Sequence, residues 1–218
     1  MKLLELSEFK NLLGANYLVI DTRDSENFSE GFIEHSISVP FNENFISNVN
    51  DLVDEEQKIL FVSSEETVAL IMEAAKVAGL TNAEGILSGG WDAWKNSGEK
   101  IDLLILIDSD EFAMDYHYDE FYLLDVRPKV EFEKEHVEDA EHVALEDLQQ
   151  LLLELETANS YYVYGNTLTD AVTAGSIFRQ HGFNRVRVVA TDYAALKNSK
   201  IPFYTQKKKD TSSNFSKS

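Results

Sequence analysis

The sequence contains no cysteine in its 218 residues. Disulfides, thiolate metal sites and thiolate nucleophiles are therefore excluded. Positive charge is also scarce, with 19 Lys and Arg against 39 Asp and Glu, for a formal net charge of −20. Residues 1–100 carry 7 basic and 18 acidic side chains and the remainder 12 and 21, so both halves are acidic, at −11 and −9. Such a field repels nucleic acid and anionic membrane surfaces, and neither is expected as a partner. Long apolar runs are missing too. The opening segment MKLLELSEFKNLLG is interrupted by Glu5 and Glu8, so it lacks the apolar core of a signal peptide. No window reaches the roughly 20 apolar residues that span a bilayer. The expected location is cytoplasmic. The five histidines, at 35, 117, 136, 142 and 181, lack metal-site spacing, and neither a metal nor a cofactor is expected.

What is present is written twice. Residues 19–41, VIDTRDSENFSEGFIEHSISVPF, align without a gap on residues 123–145, LLDVRPKVEFEKEHVEDAEHVAL. Asp21 falls on Asp125, Arg23 on Arg127, Phe28 on Phe132, Ile33 on Val137 and Val39 on Val143. Further on, ILFVS (59–63) falls on YYVYG (161–165), and AWKNS ending at Ser97 on ALKNS ending at Ser199. A period near 100 residues is too long for a solenoid and means two domains of one fold. The expected division is 1–100, 101–206 and a polar, basic, frayed tail at 207–218.

Each copy alternates strand and helix signals. In the first, residues 17–20 and 59–62 are short apolar runs suited to buried parallel strands. Residues 43–52 and 67–78 carry helical spacing, and Gly79 is a stop signal. A short strand at 85–87 and a helix at 91–96 complete the copy. This order predicts an α/β fold, each domain a mainly parallel sheet flanked by helices.

The motifs carry a resemblance. Asp21-Thr22-Arg23 and Asp125-Val126-Arg127 follow the first buried strand of each copy. Residues 31–36, GFIEHS, and 135–140, EHVEDA, follow them. Gly89-Gly90-Trp91 stands near the end of the first copy, with Thr191-Asp192-Tyr193 in its place in the second. In this order and in tandem, the chain resembles the rhodanese family over nearly its whole length. The wording FSEGFIEHSISVPF followed by SGGWDAW also resembles the rhodanese part of metallo-β-lactamase-fold persulfide dioxygenases. That resemblance implies a sulfur-handling enzyme or a metallo-β-lactamase-fold domain as partner.

In active members, a cysteine begins the loop after the central strand, its thiolate carries sulfane sulfur, and an arginine closes the loop. The resemblance places Ser63 at the first cysteine position and Val68 at its arginine position. In the second copy Gly165 and Asp170 hold these positions. A serine hydroxyl forms no persulfide and needs an adjacent base to act as a nucleophile. Glycine has no side chain to react. Glu65 and Glu66 put negative charge where an anion would bind, or else favour the first turn of a helix. The second loop, Gly165, Asn166, Thr167, Leu168 and Thr169, reads either as an anion nest or as a plain turn capped by Thr169 or Asn166. Asp21, Arg23, Asp125 and Arg127 are expected to support the loops through buried hydrogen bonds. His136 is expected to pack, as Phe32 does at the matching position. Trp91 and Trp94 are expected to pack the last helix on its sheet. The aromatic run at 116–122 is expected between the domains.

Three functional readings follow. One is a catalytically silent tandem module with a binding, regulatory or structural role in sulfur metabolism. Another is part of a persulfide dioxygenase. The third is a small-anion sensor built on the second loop.

Overall fold

The computed structural model describes residues 1–118 and 120–206, so the polar tail lies outside the described residues. In the first unit the order is β1 (Lys2–Leu4), α1 (Leu6–Leu13), β2 (Leu18–Asp21), α2 (Ser25–Ser29), β3 (Phe32–Ile33), β4 (Ile37–Ser38), α3 (Phe45–Leu52), β5 (Ile59–Val62), α4 (Val68–Ala78), β6 (Ala83–Leu87), α5 (Gly90–Lys95) and β7 (Ile101–Asp102). The second unit repeats it as β8 (Ile105–Ile107), α6 (Ser109–Tyr118), β9 (Tyr122–Asp125), α7 (Lys129–Lys134), β10 (Glu135–Val137), β11 (Glu141–His142), α8 (Leu148–Leu152), β12 (Tyr161–Tyr164), α9 (Leu168–Gln180), β13 (Val186–Val189), α10 (Tyr193–Leu196) and β14 (Phe203–Thr205).

Each unit holds a five-stranded parallel sheet with the same order. The first is β1-β6-β5-β2-β4 and the second β8-β13-β12-β9-β11. The central strands are all apolar or aromatic, ILFV and YYVY, and every residue in them is buried. That is the pattern expected of parallel strands covered on both faces. Each unit adds a short antiparallel ribbon, β3 with β7 and β10 with β14. The first ribbon therefore draws Ile101 and Asp102 into the first unit. Gly79 ends α4 in the left-handed region, at φ 70°, where glycine carries no steric penalty.

The two units share a core through α9. Residues 171–178 of this helix are all buried, the signature of a helix covered all round. One side lies on β12 and β13, and the other meets the first unit. There Thr173 and Ser176 find partners, while Gln180 Oε1 at the helix end has none among the described residues. Thr173 Oγ1 donates to the Ser38 carbonyl at 2.9 Å, and the Ser38 N–H donates to Ser176 Oγ at 3.0 Å. At the end of the helix Arg179 makes a paired contact with Asp102, at 2.6 and 2.8 Å. The aromatic run does not lie between the units. Phe112, Tyr116, Phe121 and Tyr162 form a ring cluster inside the second unit. The seam needs hydrogen bonds for the edge strand β4, and α9 supplies them with hydroxyls rather than rings.

Candidate functional site

Parallel topology sends β2, β4, β5 and β6 in one direction, so the loops after them converge at one end of the sheet. Ser63 follows β5 there. It is fully buried, and its Oγ donates to the Ser64 carbonyl at 3.0 Å. Residues Glu65–Thr67 form one 3-10 turn before α4. The Thr67 N–H and hydroxyl both donate to the Ser64 carbonyl, each at 3.2 Å. The loop thus turns donors onto its own backbone. Thr22 ties β2 to the same strand end, with its N–H and its hydroxyl on the Val62 carbonyl at 2.8 and 3.0 Å. Gly90, at φ 54°, starts α5 against this point, where a Cβ would lie 2.1 Å from the Ser63 carbonyl oxygen.

A cavity of about 410 Å³ opens over Ser63. Phe41 and Trp91 give it apolar walls, while Asp24, Glu65 and Asp92 give it acidic ones. Asp24 caps α2 by accepting the Asn27 N–H at 2.8 Å, and that bond holds its carboxyl below the ordinary range. The cation in the wall, Arg23, is fully engaged. It donates to Asp21 at 2.6 Å, to the Gly31 carbonyl at 2.8 Å and to the Asn27 carbonyl at 3.2 Å, and it lies 4.4 Å from the Trp91 ring centroid. The cleft's remaining charge is negative.

The Asp-x-Arg pairs are repeated as closely as the strands. Arg127 donates to Asp125 at 2.7 Å and to the Glu135 carbonyl at 2.8 Å, as Arg23 does to Asp21 and Gly31. Full burial pushes the Asp21 carboxyl above its ordinary value, and Arg23 opposes that push. Both arginines bind the chain entering β3 or β10. This segment is also tied to the end of the central strand through the backbone, by Thr22 N–H to the Val62 carbonyl at 2.8 Å and Val126 N–H to the Tyr164 carbonyl at 3.0 Å. Tyr193 takes the place of Trp91, its ring centroid 3.4 Å from the Arg127 guanidinium. Tyr164 lies on the same cation, at 5.7 Å. Burial pushes Tyr193 up to about 12, against the pull of Arg127, and burial also raises Tyr164.

The second loop is organised from within. Thr167, rather than Thr169 or Asn166, caps α9. Its side chain accepts the Asp170 N–H at 3.2 Å, while the Asp170 carboxylate accepts the Thr167 N–H at 3.1 Å. This reciprocal pair is a capping box. Thr169 accepts from Ser25 of the first unit at 3.2 Å, Leu168 packs on the core, and the Asn166 carbonyl accepts the Tyr193 N–H at 3.3 Å. A Cβ on Gly165 would meet the Asp170 Cβ at 2.6 Å. Asp170 supplies the negative charge that the loop's own amide binds.

The histidine position behaves as a packing site in both copies. His136 stacks on Phe132, with centroids 3.8 Å apart, and Phe32 stacks on Phe28 at 4.2 Å. Trp94 is buried and donates its indole N–H to the Lys100 carbonyl at 3.0 Å. Sequence reading missed Asp24, Phe41 and Asp92 as cleft residues. Asp24 alone left a signal, as an N-cap residue directly ahead of a helix. Among the described residues, no cluster of His, Asp and Glu could hold a metal ion, and no helix is long and apolar enough to cross a membrane.

A family model described as a rhodanese-like domain matches residues 5–97 and again 109–199. Comparison with curated proteins gives no match. Among solved structures, the chain is similar to a rhodanese-like domain from Anabaena sp., at 24% identity over 52% of this chain and 88% of that one, with a TM-score of 0.45. It is similar to a thiosulfate sulfurtransferase from Pseudomonas aeruginosa at 15% identity, over 93% of this chain and 43% of that one, with a TM-score of 0.40. A 3-mercaptopyruvate sulfotransferase from Escherichia coli shares 12% identity over 88% and 98% of the two chains, with a TM-score of 0.36.

Proposed function

The chain belongs to the rhodanese family, and we propose that it is a member without sulfur transfer, acting as a binding module. The observation that carries this reading is the pair of strand ends at Ser63 and Gly165, where no thiol stands in a chain that has none. The Ser63 hydroxyl gives its proton to the Ser64 carbonyl and, among the described residues, to no carboxylate or imidazole, so nothing activates it as a nucleophile.

The cleft over Ser63 supports a reversed preference. A sulfur-transferring loop gathers N–H groups toward an anion, whereas this cleft presents Asp24, Glu65 and Asp92. The Phe41 and Trp91 walls suit the apolar stem of a lysine or arginine side chain. The module would thus hold a basic segment of a partner protein, with a sulfur-handling enzyme as the partner class that the family favours. The test is thiosulfate:cyanide sulfurtransfer on the purified chain, together with titration of an arginine-containing peptide followed by Trp fluorescence. Absence of turnover and saturable peptide binding lost in D24N/D92N are expected. Clear turnover would overturn the silent assignment, and binding unaffected by the double variant would overturn the cleft's role.

A further inference from the structure

The start of the second sheet, opposite its Gly165 loop, carries a second candidate site. β9, β12 and β13 run parallel, and Tyr122, Ser160 and Arg185 stand at or just before their first residues. A cavity of about 520 Å³ lies across these starts, and a neighbouring one of about 410 Å³ shares Glu120, Ser160 and Arg185 with it. Together they form a groove of the size that takes small organic ligands.

Its chemistry is unusual for this molecule. The chain has five arginines, and four are in ion pairs: Arg23 with Asp21, Arg127 with Asp125, Arg179 with Asp102 and Arg187 with Asp115. Arg185 gives one hydrogen bond, to the Ala158 carbonyl at 3.1 Å, and meets no carboxylate among the described residues. In the same cavity Glu120 and Asp139 meet no cation among the described residues, and Asp139 accepts only a long contact from the Tyr116 hydroxyl, at 3.5 Å. Unpaired charges of both signs therefore face one space. The wall beside them is aromatic. Tyr122 is 50% exposed and stacks on Tyr161 at 5.5 Å, and Phe121 lies 4.0 Å from Tyr162.

We infer that this groove binds a small zwitterion with an apolar side chain, of the α-amino acid class. Its carboxylate would take the Arg185 fork, a geometry that favours two parallel hydrogen bonds. Its ammonium would face Asp139 and Glu120, and its side chain would lie against Phe121 and Tyr122. The net charge of −20 works against a simple anion here. A zwitterion escapes that penalty because its own charge sums to zero. The site is independent of the cleft over Ser63.

The probe is L-phenylalanine, titrated by calorimetry against the full chain, with 3-phenylpropionate and 2-phenylethylamine as its one-charge counterparts. Saturable binding at about millimolar concentration is expected, with each counterpart at least about tenfold weaker. R185Q and D139N should each weaken phenylalanine binding about tenfold. Asparagine tolerates the left-handed backbone that Asp139 adopts, at φ 67°, so D139N retains the fold even where R185Q does not. Absence of binding at ten times that concentration, a counterpart as tight as phenylalanine, or full binding by D139N would each overturn the inference.

Discussion

The Ser63 carbonyl oxygen occupies the space that a side chain on Gly90 would need, 2.1 Å from the position of its missing Cβ. The end of the central strand and the start of α5 are thereby locked together at the mouth of the cleft. Gly90 also has a φ of 54°, so two separate penalties oppose any larger residue.

G90A is therefore expected to destabilise the chain by about 2 kcal/mol or more, since relief requires moving backbone. Urea denaturation checks this. G98A, at an open left-handed position with nothing within 4 Å, is the comparison and should cost about 1 kcal/mol.

A thiol placed at Ser63 should not give sulfur transfer. S63C supplies a thiol after β5, but Glu65 and Glu66 follow it and residues 63–68 contain no arginine. The introduced thiol is expected to titrate at or above about 8.5, the value of a free cysteine. The pH dependence of iodoacetamide alkylation measures it. A thiol titrating near neutrality, or measurable sulfurtransfer, would refute the expectation.

The Arg179–Asp102 pair bridges the two units with both side chains mostly buried, at 18% and 15% exposure. Removing either partner leaves the other charge poorly solvated. A double-mutant cycle on R179Q and D102N should give a coupling of about 1–2 kcal/mol, above that of exposed pairs. A coupling near zero would assign the seam to its apolar and hydroxyl contacts alone.

Alkaline pH should loosen the second unit through its tyrosines. Tyr193 is raised to about 12, chiefly by burial, and Tyr164 is raised as well. The folded state therefore holds these protons more tightly than the unfolded chain, whose tyrosines titrate near 10. The Tyr193 contribution is fully present below about pH 10 and is lost as pH rises through about 12, and that of Tyr164 also declines from about pH 10 upward. Absorbance at 295 nm should show Tyr164 and Tyr193 ionising later than exposed tyrosines, and urea midpoints should fall from about pH 10 upward.

Much of the fold could be read from sequence because its strongest signals are local. The run at 59–62 became β5, the helix ending at Ala78 stopped at Gly79, and the repeat set the two sheets in register. The cap of α9 is Thr167 rather than Asn166 or Thr169 because only Thr167 has a carboxylate, Asp170, at capping-box spacing. The seam was hidden for a different reason. Thr169, Thr173 and Ser176 are the polar side of α9, and polar spacing on a helix ordinarily means water. Here that side meets Ser25 and Ser38, more than a hundred residues earlier in the chain. The acidic cleft was missed because Asp24, Glu65 and Asp92 come from three separate segments of the chain: the cap of α2, the turn before α4 and the first turn of α5.

The burial of α9 has a consequence for biosynthesis. During translation the first half emerges with β4 as an uncovered sheet edge, and its cover is not complete until Gln180 has left the ribosome. Nascent chains of intermediate length thus present a pairing-competent edge. Ribosome-bound chains stalled before residue 168 should engage chaperones, and those stalled well beyond residue 180 should release them.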